Sequence, residues 1–433
     1  MSRESGWSNI SEALSNRNYR TYQGGRFLSQ ITIWMYKVAI GWIVWDLTQS
    51  AAWLGVFGLL DQAPALFIMP IAGAMADRMD SLKFIRVTQV ILVVQALVLS
   101  LLVALDLVNL AVLIIFSLTY GIVNAAQQPA GQSIIPQLLS RQNLTAAYGL
   151  NSLSFNISRF IGPMIAGIII TQWGTAPAIF SNAIGATIFS VALVYTRINY
   201  ALPQRPHGAS THMLRDIQDG LRYARRHPGI GPSMAILTSL SVLPFTIDLL
   251  LPSLADGVYK AGANGLAWMT SVMGVGAMVQ AIVIARRGHI AGLTVNFVRG
   301  IAVLAVAVVA LAFSPNLWTA LICIFVIGFT SSLIRVSGMT LLQYGVDADM
   351  RGRVASFYSV ISHTGPAVAS LIVGLAGDRF GLPPTLTVIG ILTFAIWAWG
   401  VRRQKSIAHS LEREPPETIP AIKTPPRQAE AAQ

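Results

Sequence analysis

Charged residues are scarce in this chain. They make up 11% of 433 residues, against 54% hydrophobic. Soluble domains carry roughly 25% charged residues, so an ordinary water-facing surface is excluded. Cysteine is scarcer still. The one cysteine, Cys323, lies inside an apolar run, which excludes an internal disulfide and a thiolate metal site. The G-x-x-x-x-G-K-[ST] pattern that cradles ATP phosphates is absent, and so is the H-E-x-x-H zinc pattern. The six histidines, His207, His212, His227, His289, His363 and His409, fall mostly in polar stretches. Neither a cofactor nor an enzymatic activity is expected.

What the chain does have is long apolar runs. Runs of about 20 residues read as membrane-spanning helices, and the mean hydropathy is +0.60. Twelve spans are predicted, at about 21–46, 52–76, 83–105, 109–136, 144–171, 175–196, 231–254, 264–285, 291–313, 316–344, 352–376 and 383–402. The fold class is therefore an all-α membrane protein. Its expected organisation is a polar N-terminal segment (1–20), a six-helix bundle (21–196), a basic linker (197–230), a second bundle (231–402) and a disordered tail rich in Pro, Glu, Ala and Gln (403–433). Within the linker, Leu214–Arg226 reads as an amphipathic helix lying on the membrane surface. No cleavage pattern precedes the first span, so no removable signal peptide is expected.

The net charge of +12 would suggest nucleic acid in a soluble protein. Here the basic residues follow a different rule. Arg17 and Arg20, Lys83 and Arg86, Arg141, Arg286 and Arg287, Arg351 and Arg353, and Arg402 and Arg403 all fall on one side of a twelve-span count. The opposite loops hold Lys260 and Arg379. Positive charge marks the cytoplasmic side, so both termini and the linker are expected there, in a multi-pass inner-membrane protein. Membrane lipid is then the expected surface partner and nucleic acid is not.

The chain also repeats itself. Gly131–Gly167 has an apolar tail, a polar break and a second apolar run with Gly162-Pro163. A weaker copy runs from Gly338 to Ser370, with Gly365-Pro366 answering Gly162-Pro163 and a shorter polar break. Such a repeat points to two related halves.

Two motifs sharpen this plan. The loop after the second span reads Gly73-Ala-Met-Ala-Asp77-Arg78-Met-Asp80-Ser81-Leu-Lys83. It resembles the G-x-x-x-D-R-x-G-R-[RK] loop signature of the major facilitator superfamily, with Asp80 and Ser81 in place of the second glycine and its following arginine. In the fifth span, Ser158-x-x-x-Gly162-Pro163-x-x-Ala166-Gly167 is similar to the glycine-proline signature of antiporter members, with Ser and Ala replacing two glycines. Asp219-Gly-Leu-Arg-Tyr-Ala-Arg-Arg-His-Pro228 and Leu144-Thr-Ala-Ala-Tyr-Gly-Leu-Asn151-Ser look like the transmembrane secretion effector branch, which includes siderophore and macrolide exporters. The resemblance covers about residues 15–402. It implies two pseudo-symmetric six-helix bundles with a solute site between them.

Gly73, Asp77 and Arg78 are the gating candidates at the inner end of the second span. A carboxylate there can bond a neighbouring helix N-terminus and latch the inner face; a solvated charge pair is the plainer alternative. Gly162 and Pro163 are gating candidates in the fifth span, because small residues bring helices close and proline bends them. A tight contact without movement is the alternative.

Ionisable groups at membrane depth are costly, so each is a functional candidate. Lys37 lies roughly 24 Å into the first span, and Asp61 roughly 14 Å in from the outer end of the second. The two depths allow an ion pair that acts as a proton relay or as a static packing element. Asp248, at the equivalent depth in the seventh span, is a candidate for a proton or a cationic group, with pairing to a nearby base or outward snorkelling as alternatives. Arg159 and Arg335 are always charged, so they suit an anionic solute or a carboxylate rather than a proton. Arg335 has snorkelling to the inner surface as its alternative. His363 is either a proton carrier or bonded to backbone. Asn124, Gln127 and Gln128 in the fourth span suit solute contact or helix-to-helix bonds. Trp34 and Tyr36 in the first suit stacking on a flat ring or core packing.

These features predict a monomeric secondary transporter with a small-molecule substrate, coupled to protons and exporting its solute. Uptake of an aromatic, vitamin-like solute and a non-transporting sensor or scaffold are the rival expectations.

Overall fold

A computed structural model describes residues 11–76, 80–140, 143–198, 221–223, 226–287, 292–346 and 351–412. Among them the chain forms twelve long helical spans. Eight of the first ten are unbroken for twenty residues or more: Arg17–Thr48, Ser81–Ala104, Leu110–Leu138, Leu144–Trp173, Thr175–Tyr195, Gly262–Arg287, Leu293–Ala312 and Leu317–Gly345 are the first, third, fourth, fifth, sixth, eighth, ninth and tenth. Arg351–Phe380 and Leu382–Leu411 are the eleventh and twelfth. The second is two pieces, Ala51–Gln62 and Pro64–Ala76, and the seventh is four, Ile230–Val242, Pro244–Thr246, Ile247–Pro252 and Ser253–Val258. Eleven spans meet the length and composition needed to cross a membrane. Arg351–Phe380 has the length, with 30 residues, and carries Arg351, Arg353, Asp378 and Arg379 at its ends.

Local chemistry sets the boundaries. The side chains of Asn16, Ser50, Asn109 and Asn316 each accept a backbone N–H from the turn that follows, which satisfies a donor the helix cannot. Asp80 does the same for the third span, accepting from Leu82 and Lys83. The departure from the family's loop glycine is therefore a helix cap. Gly174 and Gly381 have φ of +84° and +86°, a region open to glycine, and turn the chain tightly between spans five and six and between eleven and twelve.

The helix faces divide between lipid and protein. On the third span Val87, Val90, Val94 and Leu101 are exposed, while Gln89, Leu92, Ala96 and Leu99 are buried. The exposed stripe is as apolar as the core, as a helix facing hydrocarbon requires. The first span packs on the fifth and sixth, and the third on the fourth and sixth. In the second half the ninth packs on the tenth and twelfth, and the eighth on the tenth. These are two six-helix bundles.

The face where the first span begins and the twelfth ends is termed the terminus face. Away from it the bundles close on each other through small residues. Gly55 and Gly374 bring the second and eleventh spans together, and a side chain on either would strike backbone of the other span. Gly167 faces Ala267, and Gly274 faces Arg159 and Phe160, along the fifth and eighth spans. Asp378 accepts N–H groups from Ala51 at 2.6 Å and Ala52 at 3.2 Å, and the Ser50 hydroxyl. Trp45 Nε1 donates to Asp256 at 2.9 Å, tying the first span to the seventh.

The twelfth helix corrects one expectation. It continues to Leu411, so residues 403–411 belong to it rather than to a tail. Its basic sequence hides an inner stripe: Ile407 and Leu411 are 0% and 1% exposed. Glu412 then accepts the N–H groups of Gly292 and Thr294 at 2.8 and 2.6 Å, capping the ninth span. Residues 413–433, most of Leu214–Arg226, Arg141, and the pair Asp77 and Arg78 lie outside the described residues.

Candidate functional site

Between the bundles lies a cavity of about 930 Å³. Gly41, Leu251 and Pro252 line its closed end. Tyr22, Arg26, Gly131 and Gln132 line it towards the terminus face, where a side chain added at Gly131 would meet nothing. The cavity thus opens towards the terminus face and is sealed by the glycine-rich seam at the other.

The break in the seventh span positions one of its main groups. Pro244 has no N–H to continue the helix, and Leu243 takes φ −105° and ψ −87°. Asp248 sits in the first turn of the piece that follows. The Thr246 hydroxyl donates to the Leu243 carbonyl at 2.6 Å, and Ser253 to the Leu250 carbonyl at 2.8 Å. Broken helices are tolerated at membrane depth where they line a cavity and side chains take up the freed backbone groups.

Two ion pairs stand in the wall. Lys37 Nζ donates to Asp61 Oδ2 at 2.9 Å, with side chains 41% and 30% exposed. Both belong to the first bundle. Arg159 Nη2 donates to Asp248 Oδ2 at 2.6 Å, with side chains 14% and 41% exposed. This pair joins the fifth span to the seventh, and so one bundle to the other. Trp34 lies between the two cations, its ring 6.0 Å from Lys37 Nζ and 5.4 Å from the Arg159 guanidinium carbon. Phe155 meets Trp34 edge to face at 5.8 Å and is 43% exposed.

The structure brings most of the expected site residues to this cavity. Trp34, Tyr36, Lys37, Asp61, Asn124, Gln127, Gln128, Arg159, Asp248 and Arg335 all line it. Tyr36 does so least, being 3% exposed, with its hydroxyl taken by Gln95 at 2.9 Å and its ring 4.9 Å from that of Tyr120. Gln127 donates to Thr88 at 3.0 Å, a helix-to-helix bond. Gly162 approaches Ile31 and Trp34 of the first span, so it packs within its own bundle, with Pro163 beside it in an unbroken helix. Gly73 lies in Pro64–Ala76. The side chain of His363 lies outside the described residues.

Several lining residues escaped sequence reasoning. Arg26 faces the cavity mouth, bonded to the Tyr22 hydroxyl at 2.9 Å. Gln30, Gln89 and Asn151 line the cavity with side-chain oxygens that are buried and have no protein partner. An amide so placed can bond water or a solute. The available signal was a glutamine in an apolar run, as at Gln89. Asp378 had none, because it reads as a loop charge beside Arg379.

The model of a family described as transmembrane secretion effector matches residues 9–424. The chain is 26% identical over 374 residues to a staphyloferrin A transporter of Staphylococcus aureus (strain NCTC 8325 / PS 47), covering 86% of this chain and 92% of that protein. It is 24% identical over 379 residues to the enterobactin exporter EntS of Escherichia coli O81 (strain ED1a), covering 87% and 89%. Among solved structures, the nucleoside transporter NupG superposes with a TM-score of 0.69 at 11% identity, covering 89% of this chain and 98% of that one. A bacterial homolog of the human lysosomal transporter Spinster, in an inward-facing and unoccupied conformation, superposes with a TM-score of 0.68 at 13% identity, covering 96% and 100%. The fold is that of the major facilitator transporters.

Proposed function

As this chain belongs to the transmembrane secretion effector family, it is a secondary transporter of the inner membrane, and we propose that it exports a small organic solute in exchange for protons. Members of this family are transporters, not enzymes. The observation that carries the proposal is the cavity between the bundles, closed at one face and bearing an ion pair that bridges them. A cavity of about 930 Å³ is at the upper end of the ~300–1,000 Å³ that small-molecule sites occupy.

The terminus face is cytoplasmic in this reading, on the asymmetry of Arg and Lys between the loops. The described state then receives solute from the cytoplasm. Trp34, Tyr36, Asn124, Gln127, Gln128, Arg159 and Arg335 form the solute wall, Tyr36 mainly as support. Lys37 and Asp61 form the proton-responsive pair: a proton on Asp61 removes the charge that holds Lys37. Asp248 and His363 complete the coupling set. Gly162 and Pro163 shape the fifth span, while Gly73, Asp77 and Arg78 latch the cytoplasmic face when it closes. The transporter works as a monomer, since one chain holds the whole cavity.

Export is supported by the exporter among the relatives. The test is accumulation of labelled siderophores, drugs and vitamins in cells lacking or overproducing the protein, with and without a protonophore. Export driven by protons lowers accumulation of one solute on overproduction, and the protonophore abolishes the effect. Raised accumulation would reverse the direction. No change with any solute would favour the scaffold.

A further inference from the structure

We propose that the transported solute is an organic anion with a flat apolar body, and that its anionic group takes the place of Asp248 on Arg159. The proposal rests on the transporter reading above and names the chemistry of the solute.

Arg159 is the fixed partner of its pair and Asp248 the removable one. The arginine side chain is 14% exposed, whereas Asp248 is 41% exposed and sits on a short piece of a broken helix. Their contact runs through one nitrogen and one oxygen. A guanidinium has five N–H donors in a fork that matches an oxyanion through two parallel bonds. The same nitrogen reaches the sulfur of Met273 at 3.7 Å, and the guanidinium lies by the Trp34 ring. An incoming carboxylate therefore finds donors that Asp248 leaves unused.

The surroundings favour an anion over a cation. Arg335 aside, the described lining holds Arg26, Lys37 and Arg159 against Asp61 and Asp248. A cationic solute that took Asp248 would strip Arg159 of its counter-charge in a largely buried place, which is costly. An anion on Arg159 instead releases Asp248, the more exposed of the two. Trp34 and Phe155 stand beside the arginine as an aromatic wall, which suits a flat body. The buried oxygens of Gln30, Gln89 and Asn151 suit hydroxyl or amide donors on the solute.

The exchange has a mechanical result. Arg159 belongs to one bundle and Asp248 to the other, so an anion that displaces Asp248 removes this ionic tie between the bundles. Asp248 acts as an internal competitor for the solute rather than as its ligand. This fixes the sign of a mutational effect.

The test is calorimetric binding to the full-length protein in lipid nanodiscs, with naphthalene-2-carboxylate, naphthalene-2-carboxamide and 2-naphthylmethylammonium. The carboxylate should bind at least about tenfold tighter than the amide, as expected for a charge-assisted bidentate contact. Asp248→Asn should tighten carboxylate binding several-fold, Asp248→Glu should leave it near wild type, and Arg159→Gln should reduce it to the level of the amide. Thermal unfolding of each variant identifies one that fails to fold, and Arg159→Lys then replaces Arg159→Gln, with partial loss expected. Weaker carboxylate binding in Asp248→Asn overturns the proposal. So does tightest binding of the ammonium that Asp248→Asn abolishes, although the transporter reading survives that result. Equal binding of all three probes, or of none, also overturns the proposal, and the cellular accumulation assay then judges the transporter reading separately.

Discussion

The two ion pairs of the cavity have the same chemistry and different positions. Lys37 and Asp61 belong to neighbouring spans of one bundle, whereas Arg159 and Asp248 reach across from one bundle to the other. When the bundles rock, the first pair travels as a unit and the second must stretch or break. Breaking it without replacement leaves Arg159, the largely buried partner, without a counter-charge, which is costly. A cross-bundle pair therefore needs a substitute partner at the moment of movement, and a solute can supply it. A pair within one bundle needs none, and a proton is enough to change its state. Position in the fold, rather than residue type, separates the pair that a solute must open from the pair that a proton alone can open.

Removing Arg159 should break this comparison most severely. Arg159→Ala leaves Asp248 in the wall without its partner and removes the anchor for the solute. A loss of roughly 100-fold in transport rate, about 3 kcal/mol, is expected from the missing anchor, measured as efflux from loaded proteoliposomes. Exchanging Lys37 and Asp61 for each other keeps the pair and alters its surroundings. Near-normal transport in the swapped protein would mean a static packing element. The expected result is a loss of pH-driven transport of about tenfold or more, with the protein folded.

The seam opposite the terminus face offers a milder intervention. Asp378 caps the second span across the bundles by accepting from Ala51 and Ala52. Asp378→Asn keeps the shape and removes the charge. Charge at a helix N-terminus is worth about 0.3–1 kcal/mol, so the closed seam should be populated a few-fold less. Labelling rates of a cysteine introduced at Ala52, in a Cys323→Ser background, would report the change as faster modification from that face. The smallest effect is expected from Glu412→Gln. It weakens the cap on the ninth span by about 0.5–1 kcal/mol and lies within the second bundle. The midpoint of thermal unfolding should fall slightly and transport should be unchanged.

Much of this was legible in the sequence, for physical reasons. Apolar runs and loop charge are dictated by the bilayer, so the twelve spans could be read one by one. Lys37 and Asp61 stood out because charge at that depth is costly, and their depths matched. Other features depend on what a residue meets, which sequence does not give. Asp378 read as a loop charge, and only packing puts it on Ala51 and Ala52. Asp248 was marked by depth, but its partner lies 89 residues away, and the break at Leu243 and Pro244 that presents it was not read. The end of the twelfth helix was masked by its basic residues, since Ile407 and Leu411 bury a narrow stripe under a charged surface. Asp80 looked like a lost signature residue and serves as a cap.

The most direct test of the different roles of the two pairs is to measure two fluxes in one preparation. Proteoliposomes holding wild type, Asp61→Asn or Arg159→Gln would be assayed for solute exchange without a gradient and for net transport driven by a pH gradient. The solute would be the one the cellular panel identifies. Asp61→Asn should keep exchange and lose the response to the gradient, whereas Arg159→Gln should lose both. Loss of both fluxes in Asp61→Asn, or exchange at the wild-type rate in Arg159→Gln, would contradict the account.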